Sequence, residues 1–339
     1  MPTRRALVVG AGVAGLATAL RLRRSDWEIV LVERASRFTD DGFPCALQGP
    51  GWEAASRLGL MKALDARSQP RCDTVVVGRT GAPFALCAKP SSKVPVLRRG
   101  DVVRVLREAV GDVEVRCTDV LGLAEDDCGV TVEFGDGEAD WFDLVVGADG
   151  ADSAIRASVY GHRWRYRQGF SMATGLLGAG PGNAVRMELV KRSVRVHPLR
   201  DGNSAVLFTW RGDVGSDLHD VFGDVPGVPP GLLSQVDDSL LSRRTGSQAH
   251  LKQWASRQVV LVGDGAWCSG HFCEQGASLS IAGAELLGDA LDIFTGTAEA
   301  LAWWEGQFRP VVRHARRQGV VLRESEVAQW ISPRTSNVS

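Results

Sequence analysis

Four short apolar runs mark the chain, at residues 6–9, 28–32, 142–146 and 259–262. Runs of this length, apolar almost throughout, predict strands buried on both faces, as in a parallel sheet. After the first run Leu16, Ala19, Leu20 and Leu22 recur at roughly helical spacing, and residues 277–291 and 298–317 also predict helices. Two stretches alternate instead. Residues 73–87 turn at Arg79-Thr80-Gly81, and residues 186–210 turn at Asp201-Gly202-Asn203, which predicts hairpins of an antiparallel sheet. Residues 226–230, bounded by prolines, mark a loop. The element order is therefore α/β with an antiparallel part threaded through it.

Turn chemistry sharpens this picture at the strand ends. The first run enters Gly10-Ala11-Gly12-Val13-Ala14-Gly15, a helix follows, and the second run ends at Glu33. This is the strand–helix–strand fingerprint of dinucleotide binding. Gly10 makes the tight turn, Gly12 lets the backbone approach a pyrophosphate, and Gly15 allows the helix to pack closely on the strand. The helix N-terminus holds the phosphates, and Glu33 accepts the ribose hydroxyls of an adenosine, which disfavours a 2′-phosphate there. The third run continues into Gly147-Ala148-Asp149-Gly150 with Ser153 and Arg156 beyond, and the fourth into Gly263-Asp264-Gly265-Ala266. Glu274-Gln275-Gly276 then opens the next helix.

Composition removes other classes. Glycine makes up 39 of 339 residues, where usage of roughly 7% would give about 24, and no collagen period is present. Thirteen of these glycines fall in or beside the motifs. A net charge of −1, from 39 basic and 40 acidic residues, supplies no field for nucleic acid or an anionic membrane. Seven cysteines without a CxxC pair or ligand-spaced histidines indicate neither a disulfide framework nor a metal site, and a cytoplasmic location is expected. Arg4-Arg5 before the apolar residues 6–20 looks like an export signal. That run is shorter than the ~18 residues of a spanning helix, and its glycines serve the fingerprint. Ten Trp against two Tyr is an unusual balance that the motifs leave unexplained.

The three segments, in this order, resemble the FAD-dependent aromatic (group A) monooxygenases with the para-hydroxybenzoate hydroxylase fold. The nearest likeness is to the branch that includes the tetracycline-inactivating monooxygenases. That pattern has GxGxxG near the start, GADGxxSxxR in the middle and GDxxHxxxPxxGQG near the end. The resemblance covers residues 4–65, 95–160 and 248–320 and is faint across 161–247. It implies a Rossmann-like, glutathione-reductase-type FAD-binding domain interleaved with an antiparallel substrate sheet, followed by C-terminal helices. The FAD-binding part is expected at 1–70, 95–160 and 248–291, the substrate part at 71–94 and 161–247, and the helical segment at 292–330.

Carried over by position, the resemblance places Gly10, Gly12, Val13, Ala14, Gly15, Glu33 and Arg34 at the ADP half, with Asp149 and Gly150 near the pyrophosphate. Asp264 would meet the ribityl and pyrophosphate region. Gln275, Gly276, Ala277 and Ser278 would aim backbone N–H groups at the flavin, and Arg99 matches a flavin-contacting arginine. Gly42 and residues 49–60 would line the flavin. The activity implied is NAD(P)H- and O2-dependent hydroxylation or epoxidation of an electron-rich aromatic or polyketide-like small molecule through a flavin C4a-hydroperoxide, in secondary metabolism, by a monomer or homodimer.

One turn departs from the pattern. Trp267, His271, Cys273 and Glu274 stand where the family has His or Tyr, Pro, Leu or Ser, and Gly. His271 and Glu274 bring titratable groups to the flavin edge and are the candidate acid–base residues; hydrogen-bonded turn residues are the alternative. Trp267, Phe208 and Trp210 are candidates for the substrate wall, with plain core packing as the alternative. Asp26 also replaces a common Gly, in the turn before the second strand. These departures keep two other outcomes open: a flavoenzyme that transfers no oxygen (dehydrogenase, reductase or redox-neutral cyclase), or a flavin-bound binding protein without turnover.

Overall fold

The computed structural model describes residues 3–35, 42–78, 82–87, 94–161, 165–189, 191–225, 231–249, 251–268 and 275–331. The chain opens with β1 (Arg5–Val9), α1 (Val13–Arg23) and β2 (Glu28–Val32). Then come β3 (Cys45–Ala46), α2 (Pro50–Arg57), α3 (Met61–Ala66), β4 (Thr74–Val77), β5 (Pro83–Cys87), β6 (Val96–Leu97) and α4 (Arg99–Val110). The middle holds β7 (Glu114–Arg116), β8 (Val120–Glu125), β9 (Val130–Phe134), β10 (Ala139–Phe142), β11 (Leu144–Gly147) and α5 (Ala154–Tyr160). After these come β12 (Arg165–Leu177), β13 (Ala184–Leu189), β14 (Arg192–Pro198), β15 (Ser204–Arg211), α6 (Leu218–Phe222) and β16 (Ser242–Ala249). β17 (Val259–Leu261), α7 (Asp264–Trp267), α8 (Gly276–Ile293) and α9 (Thr297–Ile331) complete the chain.

The four apolar runs become neighbours, although more than two hundred residues separate the first from the last. β17, β11, β1, β2 and β7 form one sheet in that order, and every adjacent pair runs parallel. Its central strands are buried on both faces, with Ala6, Leu7, Val8, Val145 and Val146 fully enclosed. Each such side chain contributes roughly 1.5–3 kcal/mol where a Val or Leu is buried. α1 buries nearly every residue from Val13 to Leu22 because α4 and α8 pack on it as well as the sheet. A helix covered on all sides carries no polar stripe. The antiparallel meander β10-β9-β8 turns Val130, Val132 and Phe134 into the same core. Asp26 adopts φ +59° between α1 and β2, a left-handed position that suits the glycine usual in the resembling family.

The alternating stretches form a second, seven-stranded sheet in the order β16-β12-β15-β14-β13-β4-β5. All its pairs are antiparallel except β13 with β4. One face carries a separate core in which Val194, Val196, Val206, Phe208 and Trp210 pack against Leu218, Phe222 and Leu232. At the C-terminal end α9 lies on α8, and Trp304 donates from Nε1 to the Gly283 carbonyl at 2.9 Å. Trp254, Trp267, Trp304 and Phe308 form one aromatic cluster with ring centroids 5.0–6.3 Å apart. Part of the tryptophan excess is thus the packing that holds the last helix to the parallel-sheet half. No helix among the described residues is long and apolar enough to cross a membrane.

Candidate active site

Three turns meet at the C-terminal edge of the parallel sheet. The Ala148 N–H donates to Val9 O at 2.8 Å, the Val262 N–H to Gly147 O at 2.9 Å, and the Gly10 N–H to Val32 O at 2.7 Å. The approach is too close for side chains. Gly10 has φ +104°, and a Cβ there would lie 2.5 Å from the Ala148 carbonyl oxygen; a Cβ on Gly15 would lie 1.8 Å from that of Gly10. Gly263 sits against Ala14 of α1 and Ser280 of α8, so the last turn closes on the start of both helices.

Helix ends give the groove its polarity. α5 and α6 are capped by their own side chains, Ser153 accepting from the Arg156 N–H and Asp217 from the His219 N–H. α1 and α8 have neither a side-chain cap nor an acidic residue in the first turn. Their leading N–H groups, among them those of Val13, Ala14, Ala277 and Ser278, lack intrahelical acceptors, and such ends attract negative charge. Gly276 at the head of α8 is exposed, and Gln275 occupies the cap position. Ser278 is buried, and its Oγ accepts from the Gln48 N–H at 3.3 Å.

Charged groups complete the groove. Glu33 accepts from the Ala11 N–H at 2.8 Å and from the Ala35 N–H at 2.9 Å, which orients its carboxylate beside the glycine turn; Arg34 is exposed next to it. Arg99 starts α4, its Cβ stacks on Gly42, and its guanidinium reaches the Gly12 loop, 3.5 Å from where a Cβ would stand. Asp149 Oδ2 accepts from the Ala154 and Ile155 N–H groups at 2.6 and 3.1 Å, whereas Oδ1 is buried without a hydrogen-bond partner among the described residues. Arg156, itself buried, donates to Gly265 O at 2.9 Å and to Ala151 O at 2.7 Å, tying the second turn to the third. Gly150 has an open surrounding, and Asp264 is exposed in the first turn of α7.

These residues fit FAD. Two uncapped helix ends and an arginine at one glycine loop suit a pyrophosphate, and the buried Asp149 oxygen suits a ligand rich in hydroxyls. Residues 3–177 match the FAD binding domain family. The chain belongs to that family and is a group A FAD-dependent monooxygenase. Across 98% of its length this monooxygenase is 25% identical to a flavin-dependent monooxygenase of Legionella longbeachae, covering 93% of it. It is 28% identical over 93% of its length to 3-amino-4-hydroxybenzoate 2-monooxygenase PtnB3 of Streptomyces platensis, of which 86% is covered. The tetracycline destructase Tet(51) superposes with a TM-score of 0.84 at 25% identity, over 96% of this chain and 92% of that one.

The monooxygenase turns one face of its large sheet toward the FAD-binding half. His197 on β14 meets Phe43 edge-on at 6.3 Å, and its Nε2–H donates to Pro70 O at 3.1 Å. Phe43 adjoins Gly42, which Arg99 covers, so the contact leads back to the glycine loop. Cys72 Sγ lies 4.0 Å from His197 Nδ1. Burial lowers the imidazole's pKa and raises that of the Cys72 thiol. Arg195 shares His197's face, two residues earlier, and Arg186 on β13 stands directly opposite Arg195.

The candidate wall residues are placed elsewhere. Phe208 and Trp210 point to the opposite face, into the separate core, where their rings pack on Phe222 at 5.1 and 6.3 Å. Trp267 is 1% exposed within the aromatic cluster, so core packing, not a substrate wall, is its role. His271 and Glu274 lie outside the described residues. Arg186, Arg195 and His197 were not singled out from the sequence, yet a signal existed: in Val194-Arg195-Val196-His197 polar residues alternate with valines, the mark of a strand with one polar face.

Proposed function

We propose that this chain is an NAD(P)H- and O2-using monooxygenase that hydroxylates or epoxidises a small, electron-rich aromatic carrying a negative charge. The observation behind the cofactor half is the meeting of three strand-end turns with the uncapped starts of α1 and α8. FAD, when bound, supplies hydride acceptance from NAD(P)H and oxygen transfer. The chain's residues then have distinct tasks. Glu33 holds the ribose hydroxyls, Arg99 and the start of α1 hold the pyrophosphate, and the start of α8 faces the flavin. Residues 1–70, 95–160 and 248–291 bind the cofactor, and 71–94 with 161–247 bind substrate.

Guanidinium groups stand on the face turned toward the cofactor residues, with Arg186 directly opposite Arg195. A carboxylate or phenolate beside two guanidinium groups gains charge-assisted hydrogen bonds, and PtnB3, named for an aminohydroxybenzoate, acts on such an acid. His197, whose pKa burial lowers, presents its ring to the same face. Secondary metabolism is the setting this substrate class suggests. The test is anaerobic reduction of the FAD-loaded protein by NADPH and by NADH, with hydroxybenzoates, aminohydroxybenzoates and their amides. Faster flavin bleaching with an acid than with its amide, and a product one oxygen heavier on aeration, is expected. Failure of both nucleotides to reduce the flavin with every aromatic rejects the reading.

A further inference from the structure

On the face of the large sheet turned away from the cofactor residues lies a cavity of about 270 Å³. Met187, Val194 and Phe208 form its floor, Phe222 of α6 forms a wall, and His219 and Ser234 stand at its rim. Native cores are filled to the density of organic crystals, and voids larger than a water molecule are few. An engineered cavity of about 150 Å³ with similar lining takes up benzene. A space of this size, floored by that apolar core and open to solvent at its rim, is therefore more than a packing remnant.

The structure assigns this cavity as a second binding site, for an uncharged molecule of one or two rings that ends in a hydroxyl or amine. The walls supply the apolar contact, and no charged side chain among the described residues lines them, so an ionised ligand gains no partner here. The rim supplies the polar end. Ser234 Oγ donates to Gly231 O at 2.6 Å, which leaves its lone pairs to accept from a ligand. The His219 ring makes no hydrogen bond among the described residues and is exposed at the mouth. The sheet itself separates this site from the other face, because Phe208 and its neighbours Leu207 and Thr209 point in opposite directions. The assignment does not depend on the reading of the cofactor site.

The experiment is calorimetric titration of the FAD-loaded full chain with 2-naphthol and with 2-naphthoate. Saturable one-to-one binding of 2-naphthol is expected. Val194→Trp, which fills the floor, abolishes it, and so does Ser234→Trp, a change at an exposed rim position that leaves the core intact. Arg186→Ala, on the opposite face, leaves naphthol binding within twofold. The same naphthol binding is expected after FAD is removed, which separates this result from any failure of the monooxygenase reading. Absence of saturable naphthol binding overturns the assignment, as does binding that survives Ser234→Trp or disappears in Arg186→Ala. Naphthoate binding tenfold weaker than naphthol in the Arg186→Ala protein supports it; equal binding there overturns it.

Discussion

The two faces of the seven-stranded sheet are built from the same strands and have opposite chemistry. On β14 and β15, Val194, Val196, Val206, Phe208 and Trp210 look into an apolar core closed by α6. Their sequence neighbours Arg195, His197, Leu207 and Thr209 look the other way, toward Phe43 and the FAD-binding half. Apolar burial concentrates stability on the first face, and under the proposed function the second face, where Arg186 stands opposite Arg195, is the one that meets substrate. A sheet divided in this way can change its substrate on one face with little effect on folding.

That separation can be broken most severely on the apolar face. Phe208→Ala is expected to destabilise the fold by about 3–5 kcal/mol, the usual cost of emptying a buried phenylalanine. Thermal unfolding reads this directly, while the absorption spectrum of bound flavin stays unchanged below the transition. A flavin spectrum altered at low temperature would show that Phe208 reaches the cofactor side after all. Glu33→Ala, remote from both faces, is expected to weaken FAD binding about 10- to 100-fold, since hydrogen bonds to a charged group contribute about 1.5–3 kcal/mol. Equilibrium dialysis of FAD measures it, and unchanged affinity removes Glu33 from the ribose site.

On the polar face the effects shift from folding to binding. Arg195→Ala is expected to lower the affinity for an aromatic carboxylate by about tenfold or more, with a smaller loss of stability than Phe208→Ala. Perturbation of the flavin spectrum on titration with the acid and with its amide gives the contrast; equal loss for both would make Arg195 a packing residue. The smallest effect belongs to His197. Burial holds its imidazole below the ordinary value of about 6.5, so the unfolded chain takes up the proton first. The stability it contributes is present above about pH 6.5 and is lost as pH falls through the folded value. His197→Gln should flatten the pH dependence of the unfolding midpoint below about pH 6.5, and an unaltered slope would place the ring in solvent.

Local patterns carried much of this molecule into view. The strand, the turn at Gly10-Ala11-Gly12, helix α1 and the strand ending at Glu33 lie within about thirty residues, and the hydrogen bonds that define them are close in sequence, so spacing reveals them. The two later turns were legible for the same reason. β15 resists such reading. Every residue from Ser204 to Trp210 is buried, so composition does not separate the two faces, and only the register puts Phe208 in the separate core and Leu207 on the face toward the FAD-binding half.

The sequence alone determined the kind of protein: three glycine turns after apolar strands, an acid at the second strand's end, and an alternating insert together specify a dinucleotide-binding α/β chain, and the resemblance of those motifs to the group A monooxygenases points to FAD. Only the tertiary structure decided which residues share a surface. It set Arg99 against Gly12, Arg186 against Arg195, and Trp267 inside a tryptophan cluster instead of beside a ligand. The reason is physical. Periodicity encodes how a segment distributes its own polar and apolar groups, while the partner across a sheet or groove is fixed by strand register and by packing between residues far apart in the chain.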